Sequence, residues 1–404
     1  MGKIIGFSGG LPFFFCIILV ELFILKYIKK KDISLPLAFT NLQIGLGFFL
    51  FKLIFLGFYY YSYLFVYDFY HFFDFKSKYV DFALAVILYD LGFYWGHRLG
   101  HEVNLFWGGH VTHHQSEEYN LSVAYRLSWM GGPLVFFAFL PVALVGVSPK
   151  YFFVAAGINS FYQFFMHTSL LKKYPFRLDW LFVSPLFHST HHGKNTLYVD
   201  KNYGSFFTIW DRIFGTYVNP DIEPIYGLPK PFTSLNSVSA NFQYFGEIFS
   251  NIFNVNQKNR FKLLFGRPSF HAEMLKNDDV SETKFLSNGL FSYVILQTII
   301  ILVITSVYVH YFSEIKLWYN FLYLIWFTYS MFQLGRMLEG HLWHSIWECL
   351  RLLVLVGALF PIMDFMPSSN TTELYFGIFL VLFSIIHYLF VFKESKVSEV
   401  RYVP

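Results

Sequence analysis

The sequence is poor in charge and in cysteine. Only 14% of its 404 residues are charged, whereas soluble proteins are usually about a quarter charged. The net charge of +4 is small and spread over loops, which argues against a nucleic-acid-binding surface. Two cysteines, Cys16 and Cys349, are too few for a disulfide framework or a thiolate metal site. We therefore expect no nucleic-acid partner and no cysteine-based site.

Apolar residues make up 55% of the chain, and they occur in long runs. Runs of about 18 or more apolar residues predict membrane spans. No small-residue cleavage site follows the first run, so we expect it to be a retained anchor. The sequence predicts an all-α, polytopic membrane helical bundle with nine spans, at residues 5–28, 38–59, 80–96, 127–147, 151–170, 290–312, 317–334, 346–365 and 374–391.

Lysines determine the predicted orientation of the chain in the membrane. Lys26, Lys29, Lys30 and Lys31 follow the first span, and positive charge marks cytoplasmic loops. Alternation then places residues 97–126 and 171–286 in the cytoplasm, the second as a histidine-rich helical cap. We predict four regions: N-terminal spans (1–80), a catalytic domain (81–227), a cap and linker (228–286), and C-terminal spans with a short tail (287–404).

Histidines form the most informative pattern. Nine of the fifteen fall between residues 97 and 192, where the surroundings are apolar and an unbound imidazole is costly. His97 and His101 are spaced i, i+4, and two triplets are spaced i, i+3, i+4, so each motif is predicted to aim its rings at one point if it is helical. The nine are His97 and His101 (first motif), His110, His113 and His114 (second motif), His167, and His188, His191 and His192 (third motif).

This cluster predicts a metal centre. One ion takes at most about six ligands, so eight or nine histidines indicate two ions. Imidazole binds zinc, copper, iron and nickel, but a nitrogen-rich pair at a membrane surface suits O₂ activation on a lipid chain, which favours iron. The alternatives are histidines satisfied by hydrogen bonds, a pH-sensing cluster, and a metal transporter. A transporter would carry histidines at mid-bilayer depth on several spans.

The histidine motifs, followed by "NYG" and "WDRIFGT", resemble those of the fatty acid hydroxylase and sterol desaturase superfamily of membrane di-iron enzymes. The stretches "GHRLGHEVNLFWGGHVTHHQSEEYNLSVAYR", "YQFFMHTSLL" and "DKNYGSFFTIWDRIFGT" are similar to the alkylglycerol monooxygenase family. This resemblance implies tetrahydrobiopterin-dependent hydroxylation of the ether-bearing carbon of alkylglycerols drawn from the bilayer, giving a fatty aldehyde and a glycerol species. It identifies no pterin-contacting residue. The alternative is a sterol or fatty-acyl hydroxylase or desaturase that uses a separate redox protein.

Two carboxylates near the first motif are candidate catalytic residues. Asp90 shares a helical stripe with His97 and His101, so it is predicted either to hold a ligand's second ring nitrogen or to make a packing hydrogen bond. Glu102 follows His101 directly and is predicted to be a base or ligand, with a solvated carboxylate as the alternative.

The remaining polar residues have weaker assignments. Either Glu117 or Glu118 could pair with Arg126, with solvation as the alternative. The resemblance implies that Asn202 and Tyr203 brace the ligand helices, and it supports His167 as a ligand or a ligand's partner. An interfacial role is expected for His341 and His344, with cofactor contact as the alternative. No function is expected for four isolated histidines, His71, His271, His310 and His387.

Overall fold

Helices form almost all of the regular structure. A computed structural model of the chain describes residues 10–171, 173, 175–274, 288–312, 315–340, 347–354 and 382–388. Within these ranges the only strand-like pairing is an isolated bridge between Phe182 and Phe207. The predicted all-α fold is confirmed there.

The α-helices are numbered in chain order, beginning with those that end before residue 149. They are α1 (Gly10–Phe23), α2 (Leu35–Ile54), α3 (Leu56–Tyr70), α4 (Lys78–Glu102), α5 (Asn104–Gly108), α6 (Val111–His114), α7 (Gly131–Val135) and α8 (Leu140–Val145). The later helices are α9 (Pro149–Met166), α10 (Pro185–His191), α11 (Ile209–Ile213), α12 (Ser237–Ile252), α13 (Gln257–Phe265), α14 (Pro268–Met274), α15 (Asn288–Tyr311) and α16 (Leu317–Leu338).

The predicted span 38–59 crosses a boundary between two helices. Helix α2 begins at a Ser34 cap, whose side chain accepts a hydrogen bond from the Leu37 N–H (3.3 Å), and it ends at Phe55. The aromatic stretch 58–67 belongs to the separate helix α3. In α2, Gly47 has no room for a Cβ atom because the Trp129 ring lies against it. The Trp129 indole also donates to the Ile44 carbonyl (2.8 Å), so α2 fixes the segment that follows the second histidine motif.

The prediction of one helix over residues 127–147 is wrong. This stretch divides into α7, a 3₁₀ turn (Phe136–Phe139) and α8, and its 15 helical residues would extend only about 22 Å at about 1.5 Å per residue. Pro141 interrupts the hydrogen-bond ladder at the start of α8. Gly146 ends α8 because it adopts the left-handed conformation, at φ +105°. A Cβ at this position would clash with the Phe73 carbonyl, so only glycine fits there. The segment packs against α3 and α4 instead.

Two helices among the described residues are long and apolar enough to cross a membrane, Leu35–Ile54 and Gly289–Tyr311. The full set of nine spans and the side of the membrane on which the histidines lie stay predictions. Most of the predicted spans 346–365 and 374–391, and the first residues of span 5–28, lie outside the described residues.

Two apolar cores position the histidine segments. The first core joins α1, α2, α15 and α16 to residues 121–129. The second joins α3, α4, α8 and α9. Because α4 and α9 are packed side by side, their C-terminal ends come together, and the first histidine motif and His167 lie at those ends.

Candidate metal centre

The nine predicted ligands come together, and nearly all are buried. Eight of them are at most 8% exposed, and His110 is partly exposed. Helix α4 carries His97 and His101 in its last turns, α6 carries His113 and His114, and His167 caps α9. Helix α10, whose Ser184 cap accepts from the Phe187 N–H, carries His188 and His191. The prediction that the separate histidine segments meet is confirmed by direct contact.

The rings form two groups. In each group, one ligand atom from every residue lies within 4.8 Å of the others. The five-histidine group comprises His97, His101, His110, His114 and His191, and the four-histidine group comprises His113, His167, His188 and His192. Stacking between His114 and His192, with ring centroids 4.5 Å apart, joins the two groups.

The prediction that each triplet aims at one point is wrong, because both triplets are divided. In the second motif His110 and His114 share one group and His113 joins the other, and in the third motif His191 separates from its neighbours in the same way. Residues i and i+4 are only about 40° apart around a helix, whereas i+3 and i+4 are about 100° apart. Each i, i+4 pair therefore shares a group, and the histidine between them faces the other group.

Backbone carbonyls fix the protonation of four rings. The Nδ1 atoms of His97, His113, His167 and His191 lie 2.8–3.1 Å from the carbonyl oxygens of Tyr203, Arg126, Gln163 and Lys201, respectively. Because a carbonyl only accepts hydrogen bonds, each Nδ1 must carry the proton. In a neutral ring the Nε2 lone pair is then free to bind a metal ion.

These Nε2 atoms face one another at distances that suit a shared metal ion. His113 Nε2 and His167 Nε2 are 3.1 Å apart, yet neither carries a hydrogen when the rings are neutral. His167 Nε2 is also 3.1 Å from His188 Nε2. Two nitrogens bound to one ion at about 2.1 Å and at right angles lie about 3.0 Å apart. The spacing therefore matches two imidazoles that share a metal ion.

The same geometry occurs in the five-histidine group. His110 Nε2 lies 3.1 Å from both His97 Nε2 and His114 Nε2. The buried Nε2 atoms of His101 and His191 have no hydrogen-bond partner among the described residues, although such buried atoms are normally paired. Metal coordination would satisfy all of them.

Burial also keeps these rings in the neutral form. Burial away from water lowers the pKa of seven ring histidines well below the usual 6.5, namely His101, His110, His113, His114, His188, His191 and His192. The rings are therefore neutral at physiological pH, which is the form that binds metals.

A loop after the third motif holds the His97 ring in place. The Tyr203 carbonyl accepts from His97 Nδ1 (2.9 Å), and the Asp211 carboxylate accepts from the Tyr203 and Gly204 N–H groups (2.8 and 2.7 Å). Asn202 adopts φ +59°, and its side chain accepts from the Val218 N–H (2.8 Å). These contacts agree with the brace implied for Asn202 and Tyr203. Asp211 was not identified from the sequence, although it lies within "WDRIFGT".

Asp90 supports the same loop and contacts no histidine ring. Its carboxylate is 1% exposed and accepts from the N–H groups of Phe206 (2.8 Å) and Phe207 (3.1 Å) and from the Trp210 indole (2.8 Å). The prediction that Asp90 holds a ligand ring therefore does not match the structure. Asp90 instead ties α4 to the loop that presents the Tyr203 carbonyl.

Glu102 also lies apart from both groups. Its carboxylate accepts from Arg98 Nε (3.0 Å) one helical turn earlier, and about a quarter of its side chain is exposed. The carboxylate that approaches a ligand ring is that of Asp200, whose Oδ1 lies 3.8 Å from His101 Nδ1. That distance is too long for a hydrogen bond.

Arg126 is a buried support behind the second motif. Its guanidinium donates to Thr112 O (2.8 Å), Asn41 Oδ1 (2.8 Å) and Gln115 Oε1 (2.6 Å). The possible pairing with Arg126 is not formed: Glu118 accepts from the Ser34 N–H (2.6 Å), and Glu117 is exposed, as the solvation alternative predicts. Arg126 thus fixes the second motif through neutral acceptors.

One aromatic contact was also missed. Tyr119 donates to the Met166 carbonyl (2.8 Å) and stacks on His167, with centroids 5.7 Å apart. Tyr226 also stacks on Tyr119, with centroids 5.1 Å apart. Both tyrosines lie beside predicted motifs, in "EEYNLS" and "YGL", but only the folded chain pairs them.

The other histidines lie outside both groups. His71 approaches Asp74 (3.1 Å). His271 is 1% exposed, and its Nε2 has no partner among the described residues. His310 and His387 belong to neither group, and His341 and His344 lie outside the described residues.

Comparison with known proteins shows what this chain is similar to. Residues 82–216, which include all nine ligand candidates, match the fatty acid hydroxylase family. The match therefore places the histidine motifs in a fatty acid hydroxylase-type region of the chain.

Over a longer stretch, the chain resembles alkylglycerol monooxygenases. It is 31% identical to the Homo sapiens alkylglycerol monooxygenase over 263 residues, covering 64% of this chain and 58% of the relative. The Danio rerio enzyme is 30% identical over 275 residues, covering 67% and 61%, respectively. An ornithine lipid hydroxylase of Rhizobium tropici is 27% identical over 140 residues, covering 34% and 42%. No solved structure matches the chain. The predicted resemblance to alkylglycerol monooxygenases is confirmed, and the chain spans less than two thirds of these relatives.

Proposed function

We propose that this chain is an integral-membrane di-iron monooxygenase that cleaves alkylglycerol ethers. The observation that carries the proposal is the convergence of nine histidine rings, eight of them buried, in two adjacent groups, with Nε2 atoms facing each other 3.1 Å apart. The five-histidine group would hold one iron ion and the four-histidine group the other. Iron bound there would supply the binding and reduction of O₂.

The overall reaction is balanced by a two-electron donor. One oxygen atom of O₂ enters the C–H bond next to the ether oxygen, and the other leaves as water with two electrons and two protons. The resulting hemiacetal loses its ether C–O bond, giving a fatty aldehyde and a glycerol species. Tetrahydrobiopterin is the proposed donor because the similar relatives are alkylglycerol monooxygenases. A separate redox protein is the alternative donor.

The protein's own part is to orient ligands and exclude water. Four carbonyls hold Nδ1 protons and thereby direct the Nε2 lone pairs inward. Asp90 and Asp211 position the loop that carries one of those carbonyls. Burial of the rings keeps bulk water from competing for the ions. We assign no catalytic step to Asp90 or Glu102.

We also propose that the chain is a multi-pass protein with this centre on the cytoplasmic side. Two described helices are suited to crossing a membrane, and the lysines at 26 and 29–31 favour a cytoplasmic loop. The lipid would then reach the centre sideways from the bilayer, within a catalytic domain at residues 81–227.

The direct test uses purified full-length protein loaded with iron under anaerobic conditions. It is mixed with a labelled alkylglycerol, O₂ and tetrahydrobiopterin, and fatty aldehyde is measured by mass spectrometry. We expect aldehyde from the parent and from His271→Ala, and none from His113→Ala. Hydroxylated sterol or fatty-acyl product formed with a redox protein, without aldehyde from the ether, would favour the alternative enzyme.

A further inference from the structure

The strongest feature outside the metal centre is a basic aromatic surface on α12 and α13. Four phenylalanines there are exposed, Phe249 (53%), Phe253 (80%), Phe261 (68%) and Phe265 (46%). Three cations lie among them, Lys258, Arg260 and Lys262. We call these seven residues the basic aromatic surface.

Helix α13 presents this surface on one side. Leu263 is fully buried, which fixes the inward side of the helix. Phe261 and Phe265 are spaced i, i+4 on the outward side, and their ring centroids are 5.1 Å apart. Lys258 and Lys262 form a parallel exposed i, i+4 pair. Exposed aromatic rings flanked by lysines are typical of helices that lie in a membrane interface.

One contact connects the two helices into a single surface. The Arg260 guanidinium lies 6.0 Å from the centre of the Phe253 ring, just beyond the C-terminal end of α12. Arg260 on α13 therefore connects Phe253, beyond the end of α12, to the exposed side of α13. Such large exposed aromatic patches are uncommon on surfaces that face only water.

Charge identifies the partner. No aspartate or glutamate occurs between residues 248 and 272, whereas Lys258, Arg260, Lys262 and Arg267 carry four positive charges. Anionic phospholipids give the cytoplasmic leaflet a negative surface potential, which attracts each nearby basic side chain. Lysine stems can lie along the acyl boundary while their ammonium groups reach the phosphates.

We propose that the basic aromatic surface docks onto an anionic phospholipid leaflet. The surface is also joined to the metal centre through Asn104, which lies three residues after His101. Asn104 donates through Nδ2 to the Leu263 carbonyl (2.6 Å) and through its backbone N–H to the Gly266 carbonyl (2.8 Å). Docking therefore fixes the first histidine motif relative to the lipid head groups. The proposal requires no particular reaction at that centre.

The test places an environment-sensitive fluorophore next to the aromatic pair in the full chain. Cys16→Ser and Cys349→Ser remove the native thiols, and Gln257→Cys provides a labelling site one turn before Phe261. The protein is reconstituted in nanodiscs of phosphatidylcholine alone or mixed with phosphatidylserine. Emission wavelength and quenching by aqueous iodide report whether the label lies in lipid. Asp221→Cys, at another exposed position, is the matched labelling control.

We expect blue-shifted emission and protection from iodide at position 257 when phosphatidylserine is present, and no protection at position 221. Each basic side chain near an anionic surface contributes about fivefold to docking, so Lys258→Glu with Lys262→Glu should reduce docking by at least about 25-fold. Lys258→Arg with Lys262→Arg keeps the charge and should keep the protection. Phe261→Ser with Phe265→Ser should reduce the blue shift.

Two results would overturn the proposal. The first is equal iodide quenching at position 257 in the two kinds of nanodisc. The second is protection that persists after both lysines become glutamate, because the label would then be shielded by the protein itself and not by anionic lipid. If a variant fails to fold, the comparison of the two lipid compositions with the parent surface still decides the question.

Discussion

Replacing His188 by alanine should remove one metal ion and leave the other. His188 Nε2 lies 3.1 Å from His167 Nε2 and 3.3 Å from His192 Nε2, so it is central to the four-histidine group and absent from the five-histidine group. Loss of an outer hydrogen-bond partner of a metal ligand typically costs about 10–100-fold in affinity. Loss of one of four ligands should cost at least about 100-fold, or about 2.7 kcal/mol.

The assay is metal analysis of membrane-extracted protein purified anaerobically and titrated with ferrous iron. The parent should carry about two equivalents and His188→Ala about one. His271→Ala is the matched control, because it also removes a buried imidazole but belongs to neither group, and it should keep both ions. Two equivalents in His188→Ala, or one in the parent, would refute the assignment of two separate sites.

Four further outcomes are expected. Asp211→Asn should lower iron affinity about 10–100-fold, because the amide NH₂ of asparagine cannot accept a hydrogen bond from the N–H groups of residues 203 and 204 as the carboxylate does. Tyr203→Phe keeps the backbone carbonyl, so it should match the parent in an iron titration. Glu102→Gln should stay within a few-fold of parental turnover, since its carboxylate contacts Arg98, and a large loss with full iron content would restore its role as a base. Cysteine at the exposed position Glu117 should resist impermeant thiol reagents in intact cells, and labelling from outside would reverse the predicted orientation. The metal-free protein should lose stability as the pH falls from about 7.5 to 5.5. Buried histidines such as His188 have a lowered pKa in the folded state, so on acidification the unfolded chain binds protons first. A melting temperature that rises on acidification would contradict this.

The sequence was sufficient to identify the nine histidines that come together but not how they divide between two groups. Helical spacing depends only on local backbone geometry, so the i, i+4 pairs could be recognised directly. His113 and His191 each join the group that the other histidines of their own motif do not form. Predicting this required the relative placement of α4, α6, α9 and α10, which packing decides.

The apolar runs likewise determined that the chain is helical but not where its helices break. Hydrophobic composition predicts burial or membrane insertion over a window of residues. The interruption at residues 127–147 depends on Pro141 and on a left-handed Gly146 whose space is filled by the Phe73 carbonyl. That neighbour is about 70 residues away in sequence, so no local pattern could reveal it.

The roles of the carboxylates were decided by tertiary structure alone. Asp90 and Glu102 lie next to the first motif in sequence, which made them candidates for ring contacts and catalysis. A helical side chain points to whichever element packs on its face, and for Asp90 that element is the loop at residues 206–210, more than 100 residues away. The ring orientation of His97 is set by a carbonyl that is 106 positions away. Sequence determined which side chains can bind metal, because ligand chemistry belongs to the residue. The fold determined where each lone pair points, because that depends on acceptors brought from distant parts of the chain.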